Sequence, residues 1–340
     1  MEENFAVIVP ARDTEKVRFE LQSRELLDRS RKCVSRIVEG GSFVEIPVTD
    51  LVSGYEIKRQ EQPEFYRQQM NLKERLAGKM KPEELEAIPS GWQILGNIIV
   101  VTIPDKIMHR GVEIAEELLN MYPSCDTVVR DLGINGSLRQ PKRQLVSGNT
   151  TETIHKENGC YFKLDVTEVM YSKGNLREKN RMSKLGNGEI VVDMFAGIGY
   201  FTLPMAVHSQ PEKIYSIELN PVSFGYLRDN VRLNNVQHIV QPLHGNCAEV
   251  TPKEVADRVI MGYVGGTADY LPAAIGALSE KGGILHFHEA LAENLMFDRP
   301  IGQITKAAKM QGRNVEIMEC RSIKKYSPGV WHVVVDARIW

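Results

Sequence analysis

The chain has 340 residues and a formal net charge of −2, with 42% hydrophobic and 25% charged residues. These values are typical of a globular protein with two or three domains, and the near-neutral charge excludes a protein that coats nucleic acid uniformly. The five cysteines form no CxxC pair, so we expect neither a zinc site nor a disulfide framework, and no bound metal. No apolar run reaches the roughly 18 residues that a membrane span needs. With an acidic start, this predicts a cytoplasmic protein without a signal peptide.

The first 90 residues predict a small module followed by a connector. Phe5–Pro10 has the pattern of a strand, 13–29 that of an amphipathic helix, and 42–47 that of a second strand. We therefore expect a small α/β module over 1–55. The charged, Gln- and Glu-rich residues 56–90 have a helical pattern and predict a helical connector.

Residues 91–185 predict an α+β domain that positions the substrate. Two apolar runs surround Gly96-Asn97, which is typical of a hairpin. A helix is expected at 106–119, and short strands are expected near 125–130 and 152–166.

Residues 186–340 alternate buried apolar runs with helical segments. The expected strands are 190–194, 213–218, 239–243, 257–264, 282–288 and 330–337. Strands separated by helices form βαβ units, so we expect a doubly wound α/β domain with a mostly parallel sheet.

A glycine loop, Asp193–Gly199, follows the first of these strands and precedes a helix that begins near Phe201. Glycines let the backbone turn tightly and approach a ligand closely. The loop residues Phe195, Ala196, Gly197 and Gly199 are therefore candidate cofactor contacts. The alternative is a tight turn that binds nothing.

Two further strand ends carry suitable polar groups. Glu218 ends the next strand about twenty residues on, where a carboxylate accepts hydrogen bonds from ribose hydroxyls. Asn246 and Cys247 follow the third strand, where an amide side chain and a backbone N–H suit an adenine edge, although a capping turn is the alternative. Together they predict a nucleoside site. The fuller G-x-G-x-x-G of a dinucleotide dehydrogenase is missing.

These motifs resemble class I S-adenosylmethionine-dependent transferases, in the branch that modifies the guanosine beside the tRNA anticodon. The resemblance is carried by DMFAGIGYF at 193–201, IELNP at 217–221 and the strand end at Asn246. Segments 153–159, 169–182 and 324–331 are similar to further signatures of that branch. The resemblance implies a class I methyltransferase-like (Rossmann-type) fold, S-adenosylmethionine as donor and tRNA as partner, with no obligate protein partner.

Two families share this resemblance, the tRNA guanine N1-methyltransferases and the wybutosine-pathway aminocarboxypropyltransferases. The methyltransferases carry Asn-Leu-Pro after the fourth strand, whereas this chain has Gly262-Tyr-Val-Gly-Gly-Thr267. That run and residues 283–288 resemble the second family. The resemblance thus implies transfer of the 3-amino-3-carboxypropyl group to 4-demethylwyosine next to the anticodon of tRNA-Phe. N1-methylation of the same guanosine is the alternative, and an inactive tRNA-binding protein is a third hypothesis, which the intact Gly197, Gly199 and Glu218 disfavour.

Candidate site residues cluster just before the glycine loop. Ser172 and Lys179 are seven residues apart in a segment that runs from loop into helix, so two turns place them on one side. A hydroxyl and an ammonium suit the amino-acid arm of the donor, and Gly262 is a further donor contact. The candidate catalytic residues are Glu178, Tyr171 and Arg139. Glu178 matches an acid proposed as base in the methyltransferases, but it equally suits an intrahelical ion pair, and Tyr171 suits a core position.

A basic stretch predicts the RNA contact. From Arg139 to Lys184 there are ten Lys or Arg residues and five acidic ones. Phosphate contacts supply most nonspecific RNA affinity, although ordinary surface charge is the alternative. Arg139 and Arg143 are expected in a loop from which side chains reach a flipped nucleotide. The candidate RNA contacts are Arg143, Lys173, Arg177 and Arg181.

Overall fold

The computed structural model describes residues 4–38, 41–65, 70–136 and 139–340, and the side chain of Lys173 lies outside this description. The chain divides into two compact units, Met1–Asn71 and Leu72–Trp340. In the described ranges, no helix is long and apolar enough to cross a membrane.

In its described residues, the N-terminal unit has a four-stranded antiparallel sheet and an α-helix. Its elements are β1 (Phe5–Pro10), α1 (Thr14–Ser23), β2 (Val34–Val38), β3 (Gly41–Pro47) and β4 (Glu56–Arg59), and the sheet order is β2-β3-β1-β4. The predicted strand at the start is confirmed. The helix predicted over 13–29 is confirmed over Thr14–Ser23 and is wrong beyond it, where Leu27 forms a β-bridge with Val48.

The helical connector predicted over 56–90 is wrong at its start, because Glu56–Arg59 pairs antiparallel with β1 as an edge strand. Only Ile57 of this strand packs against the core, and the other three residues are exposed. Charged side chains are common on edge strands, where they prevent further pairing. One inward residue among charges therefore gave a pattern that resembles a solvated helix.

The C-terminal unit begins with short helices and a four-stranded sheet of order β5-β6-β7-β8. The elements are α2 (Leu72–Leu76), α3 (Pro82–Leu85), β5 (Trp92–Leu95), β6 (Ile98–Val101), α4 (Gly111–Met121), β7 (Thr127–Asn135) and β8 (Gln140–Ser147). Gly96, with φ of +55°, makes the turn of the predicted hairpin between β5 and β6. A second hairpin follows, β9 (Glu152–Glu157) with β10 (Cys160–Asp165).

The rest of the unit is a seven-stranded sheet with helices between its strands. The elements are α5 (Leu176–Met182), β11 (Ile190–Asp193), α6 (Thr202–His208), β12 (Lys213–Glu218), α7 (Pro221–Leu233), β13 (Val240–His244), α8 (Cys247–Val250), β14 (Arg258–Met261), α9 (Leu271–Ala277), β15 (Gly283–Ala292), α10 (Asp298–Met310), β16 (Val315–Ser327) and β17 (Val330–Ile339).

The sheet order is β13-β12-β11-β14-β15-β17-β16. The first five strands in this order are parallel, and β17 runs antiparallel between β15 and β16. The order reverses between β11 and β14. Ligands of such sheets bind outside the carboxyl ends of the strands at this switch point.

The predicted boundary at residue 185 does not separate two bodies. Leu95 and Phe162 from the preceding segment share one hydrophobic core with Ile198 and Leu203 from the large sheet. The hairpin β9–β10 packs on α7, where the Asn230 side chain accepts from the backbone of Lys163 at 2.6 Å. The segment before the large sheet therefore packs against this sheet and its helices as part of the same compact unit.

A buried ionic cluster joins α5 to the antiparallel strands. Asp336 on β17 is 6% exposed and accepts from His286 at 2.6 Å, from Arg321 at 2.7 Å and from Arg181 at 3.0 Å. Burial opposes ionisation of Asp336, but the His286 hydrogen bond and the two arginines outweigh it and hold the pKa of this carboxyl below its usual range.

Removing this carboxylate should destabilise the C-terminal unit. Asp336→Asn removes the buried carboxylate that His286, Arg181 and Arg321 share. Breaking a buried ionic network in this way should cost about 3–5 kcal/mol at pH 7, measured by urea unfolding. Because the folded-state pKa is depressed, the difference from wild type should shrink as the pH falls below about 4, where unfolded aspartates bind protons.

The control is Asp229→Asn, since the Asp229 side chain is 47% exposed and pairs only at the surface. Its change should stay within about 0.5 kcal/mol. Equal losses for the two variants would contradict a structural role of the cluster.

Candidate active site

A cleft of about 440 Å³ lies at the carboxyl ends of β11, β12, β13 and β14, at the switch point of the sheet. It is also bordered by the segment before α5 and by the β16–β17 hairpin. Nine of the predicted site residues line it: Arg139, Ser172, Lys179, Phe195, Gly197, Glu218, Asn246, Cys247 and Gly262.

The glycine loop forms the floor of the cleft. Gly197 has φ of +58°, and a Cβ there would lie 2.4 Å from Cε2 of Tyr200. The backbone N–H of Gly197 donates to Glu218 at 2.8 Å, so the loop and the next strand end are tied together. Ala196 and Gly199 are in this loop but do not line the cleft. These two residues shape the turn and do not form the surface of the cleft.

A buried carboxylate supports the loop from below. Asp193 is 0% exposed and accepts from the hydroxyl of Thr202 at 2.8 Å and from the N–H of Phe195 at 3.4 Å. Burial raises the pKa of Asp193 to about 6. Asp193 ends its strand as the motif requires, and it acts on the loop rather than on a ligand.

Glu218 presents a fixed carboxylate to the cleft. Its two oxygens accept from the backbone N–H groups of Gly197 at 2.8 Å and Asn220 at 2.7 Å. Burial raises the pKa of Glu218 above its ordinary value, against the opposing effect of these N–H groups. A carboxylate has about four lone-pair sites. Two are left here for donors such as a ribose diol.

Aromatic rings and a strand end form the wall next to Glu218. Phe195 stacks on Tyr263 at 5.3 Å and meets Tyr270 edge-on at 5.2 Å, and all three line the cleft. Asn246 caps α8, with its side-chain oxygen accepting from Ala248 at 3.0 Å. The capping alternative for Asn246 is therefore confirmed, and its predicted contact with an adenine edge stays a prediction, at a residue that lines the cleft. The two tyrosines were not predicted, because they belong to a loop after β14 with no regular pattern.

Basic groups gather at the other end of the cleft. The Lys179 ammonium bonds Oε1 of Glu157 at 2.5 Å, over the ring of Tyr171 at 4.5 Å. Lys324 on β16 donates to the hydroxyl of Ser172 at 3.1 Å. Burial lowers the pKa of Lys179 and of Lys324. Arg139 donates to the Tyr326 hydroxyl at 2.6 Å.

Lys324, Tyr326 and His332 line the cleft but were not predicted as site residues. They lie on the hairpin β16–β17, about 150 residues beyond Ser172, and only the order of the sheet brings them here. The only sign of them in the sequence was segment 324–331, which is similar to a signature of the same branch.

Two of the predicted catalytic residues lie outside the cleft lining. Tyr171 is 2% exposed and packs edge-on against Phe162 and Tyr200, with its hydroxyl donating to Glu157 at 3.0 Å. Glu178 is 2% exposed and bonds Arg181 at 2.6 Å. These positions match the core and ion-pair alternatives.

Several predicted RNA contacts are engaged inside the protein. The loop predicted around Arg143 is wrong, because Arg143 lies in β8, where its side chain is 4% exposed and donates to the Val166 carbonyl at 2.6 Å. Arg181 is held by Glu178 and Asp336. Arg177 is exposed on α5, and the Lys173 side chain lies outside the described residues. The basic surface is thus smaller than the count of ten suggests.

Family models match three successive stretches of the chain. They are the tRNA methyltransferase 5 N-terminal domain over 6–56, the TYW2 N-terminal domain over 72–151 and the TRM5/TYW2 methyltransferase domain over 153–318. The tRNA(Phe) (4-demethylwyosine(37)-C(7)) aminocarboxypropyltransferase of Methanocaldococcus jannaschii is 48% identical over 206 residues, which are 60% of this chain and 82% of that protein. The chain belongs to the TRM5/TYW2 family.

Relatives from both branches of the TRM5/TYW2 family are similar to the chain. The crystal structure of Pyrococcus horikoshii TYW2 in complex with MeSAdo has a TM-score of 0.71 and 33% identity, covering 79% of this chain and 98% of that one. The tRNA (guanine(37)-N(1))-methyltransferase Trm5b of Pyrococcus abyssi is 31% identical over 344 residues, 98% of each chain. The predicted class I methyltransferase-like fold is confirmed.

The glycine loop should be intolerant of a side chain at Gly197. Gly197→Ala places Cβ in the left-handed backbone region, at a cost of about 1–2 kcal/mol, and displaces the Tyr200 ring. We expect a lower urea midpoint and a weaker affinity for adenosine.

Gly225→Ala is the matched control, because a Cβ at this exposed helical position meets nothing within 4 Å. It should add up to about 1 kcal/mol of stability, and equal effects of the two substitutions would contradict a strained loop.

Proposed function

We propose that this protein transfers the 3-amino-3-carboxypropyl group from S-adenosylmethionine to 4-demethylwyosine at the guanosine position 3′ of the anticodon in tRNA-Phe, releasing methylthioadenosine. The observation that carries the proposal is the polarity of the cleft, with the Glu218 carboxylate at one end and three cations at the other. The 48% identity to an aminocarboxypropyltransferase supports the same reaction.

The residues of the cleft fit the donor. Glu218 suits the two ribose hydroxyls, and the Gly197 turn leaves no Cβ between the backbone and a nucleoside. Phe195 and Asn246 lie beside Glu218 on the wall that suits an adenine ring. The donor supplies a sulfonium whose three attached carbons are all electrophilic.

The cationic end selects which carbon of the donor reacts. Lys179, Lys324 and Arg139 all line the cleft and can bind a carboxylate, and Ser172 offers a hydroxyl beside Lys324. A site that fixes both ends of the donor determines which carbon faces the nucleophile. Fixing the amino-acid arm in this way favours attack at its γ-carbon.

The loop after β14 supports aminocarboxypropyl transfer over methyl transfer. In place of Asn-Leu-Pro, the chain has Gly262, where a Cβ would lie 2.6 Å from Cε2 of Phe201, followed by Tyr263. Thr267 donates to the Tyr263 carbonyl at 2.8 Å and closes the loop over the cleft. Side-chain amides that would hold a guanine edge are replaced by an aromatic ring, which suits a flat tricyclic base.

Exposed basic residues on the elements that precede the large sheet suit the phosphates of the tRNA. Arg177 on α5, Lys142 on β8, Lys156 on β9 and Lys184 after α5 are all exposed. Phosphate contacts of this kind give nonspecific affinity that falls with salt. Arg139, at the rim of the cleft, is the candidate for the flipped nucleotide itself.

The nucleoside by-product tests the reaction. With S-adenosylmethionine and tRNA-Phe carrying 4-demethylwyosine, we expect methylthioadenosine and a base whose mass has grown by an aminocarboxypropyl group, both measured by mass spectrometry. The control substrate is the same tRNA with unmodified guanosine. If that control gains a methyl group and S-adenosylhomocysteine is the sole by-product, the chain acts as the N1-methyltransferase that its 31% identity to Trm5b suggests as the alternative.

The roles of the two ends of the cleft can be separated by ligand affinity. Glu218→Gln should weaken both S-adenosylmethionine and methylthioadenosine. Lys179→Met should weaken only the first, because methylthioadenosine has no amino-acid arm. A charged hydrogen bond contributes about 1.5–3 kcal/mol, so we expect losses of about tenfold or more by calorimetry.

Lys184→Met is the control for Lys179→Met, because Lys184 is exposed just beyond the same helix. It should leave both affinities unchanged. If Lys179→Met weakens the two ligands equally, Lys179 serves only its bond to Glu157, and the proposed contact with the donor is wrong.

A further inference from the structure

Two buried histidines lie side by side at the cationic end of the cleft. His332 on β17 lines the cleft, and its Nε2 is 3.1 Å from Nδ1 of His288 on β15. His332 is 3% exposed and His288 is 0% exposed. The second ring therefore has no exposed surface of its own, and the first connects it by a hydrogen bond to the cleft lining.

The far nitrogen of the inner ring has a buried carboxylate beside it. Nε2 of His288 is buried without a hydrogen-bond partner among the described residues, and Oε1 of Glu178 lies 4.0 Å away. A hydrogen bond needs about 1 Å less than this. A small side-chain movement would therefore complete a chain from the cleft through His332 and His288 to Glu178.

The surroundings keep both rings neutral. Burial, the neighbouring His286 and nearby arginines lower the pKa of His288 to about 3. Burial, the His288 ring and nearby cations lower the pKa of His332 to about 3. The charged and titratable groups that face the pair from the neighbouring elements are Glu178 and Arg181 on α5, His286 on β15, Arg321 and Lys324 on β16, Asp336 on β17 and, near β8, Arg139. A neutral imidazole has one nitrogen with a free lone pair, which can accept a proton.

We propose that His332 is the base that removes the proton from the attacked ring carbon, and that His288 then transfers a proton to Glu178. This inference rests on the proposed function, since aminocarboxypropyl transfer joins the arm to a carbon that still bears hydrogen. It also gives Glu178 a part in the reaction although this residue does not line the cleft.

The transfer balances without any further reactant. The ring carbon bonds the γ-carbon of the donor, the γ-carbon–sulfur bond breaks, and its electron pair stays on sulfur in neutral methylthioadenosine. The ring carbon then loses its proton to Nδ1 of His332, and the C–H electron pair restores the aromatic ring. The Nε2 proton of His332 moves to Nδ1 of His288, whose own Nε2 proton moves to Glu178.

A hydrogen-isotope experiment tests His332 directly. The wild type and His332→Asn are compared in single turnovers on tRNA whose 4-demethylwyosine carries hydrogen or deuterium at the attacked carbon. General base catalysis contributes about 10²- to 10⁴-fold, so the variant should be slower by such a factor. The wild type should show an isotope effect near unity, and the variant a clear normal effect, because proton removal becomes rate-limiting. His288→Asn should show the same change to a smaller extent.

His238→Asn is the matched control, because His238 is exposed just before β13 and does not line the cleft. Affinity for S-adenosylmethionine, measured by calorimetry, should be unchanged in all three variants. A slow His332→Asn enzyme with an isotope effect near unity would show that His332 only positions the base, and a rate like that of wild type would exclude any part in the reaction. Either result overturns the inference. A wild type that releases S-adenosylhomocysteine instead overturns the proposed function itself.

Discussion

The ionic cluster around Asp336 determines where the cleft receives its cations. Arg181 bridges Asp336 and Glu178, which fixes one face of α5 against β17. Lys179, which follows Glu178 in the sequence, points the other way and bonds Glu157 on the β9–β10 hairpin. Adjacent buried charges on a short helix are costly unless each is paired. Here Glu178 pairs with Arg181 on the same helix, and Arg181 also bonds Asp336 on β17, whereas Lys179 pairs with Glu157 on β9. The helix therefore has one rotation that satisfies both contacts with other strands, and that rotation brings Lys179 to the cleft.

The polarity of the cleft follows from this arrangement together with the parallel sheet. The strand ends supply the Glu218 carboxylate, whose position is set by two backbone N–H groups. The antiparallel addition β16–β17 supplies Lys324 at the opposite end. A ligand with a diol at one end and a carboxylate at the other has one favourable orientation between them. In the proposed reaction, the additional hairpin and Lys179 of α5 would together determine which end of the donor faces the substrate.

The sequence predicts the parallel core well because buried strands alternate with helices there. All six strands predicted after residue 186 are present, and the glycine loop and Glu218 meet as expected. Strand β16 was missed because it carries Glu, Arg and Lys at frequent intervals, and three register shifts disturb its alternation. Arg143 was assigned to the wrong surroundings for another reason. A charged residue reads as exposed in a sequence, and the partner that buries Arg143, the Val166 carbonyl, depends on tertiary packing. The ion pair of Glu178 with Arg181 could be predicted, because the two residues are three apart on one helix.

A polar stripe crosses the sheet beneath this site. Residues two apart on a strand share a face, so His286 and His288 on β15 lie on the same side as His332 and Asp336 on the adjacent β17. Away from the cleft the stripe is fully paired, with Arg258 bonding both His286 and Glu189. Close to the cleft it is not, since Nε2 of His288 has no partner among the described residues. Apolar side chains would fill this layer at lower cost. The paired side chains of the stripe are explained by their structural role alone. The unpaired Nε2 of His288 is explained by the proposed proton transfer, in which this nitrogen carries a proton to Glu178.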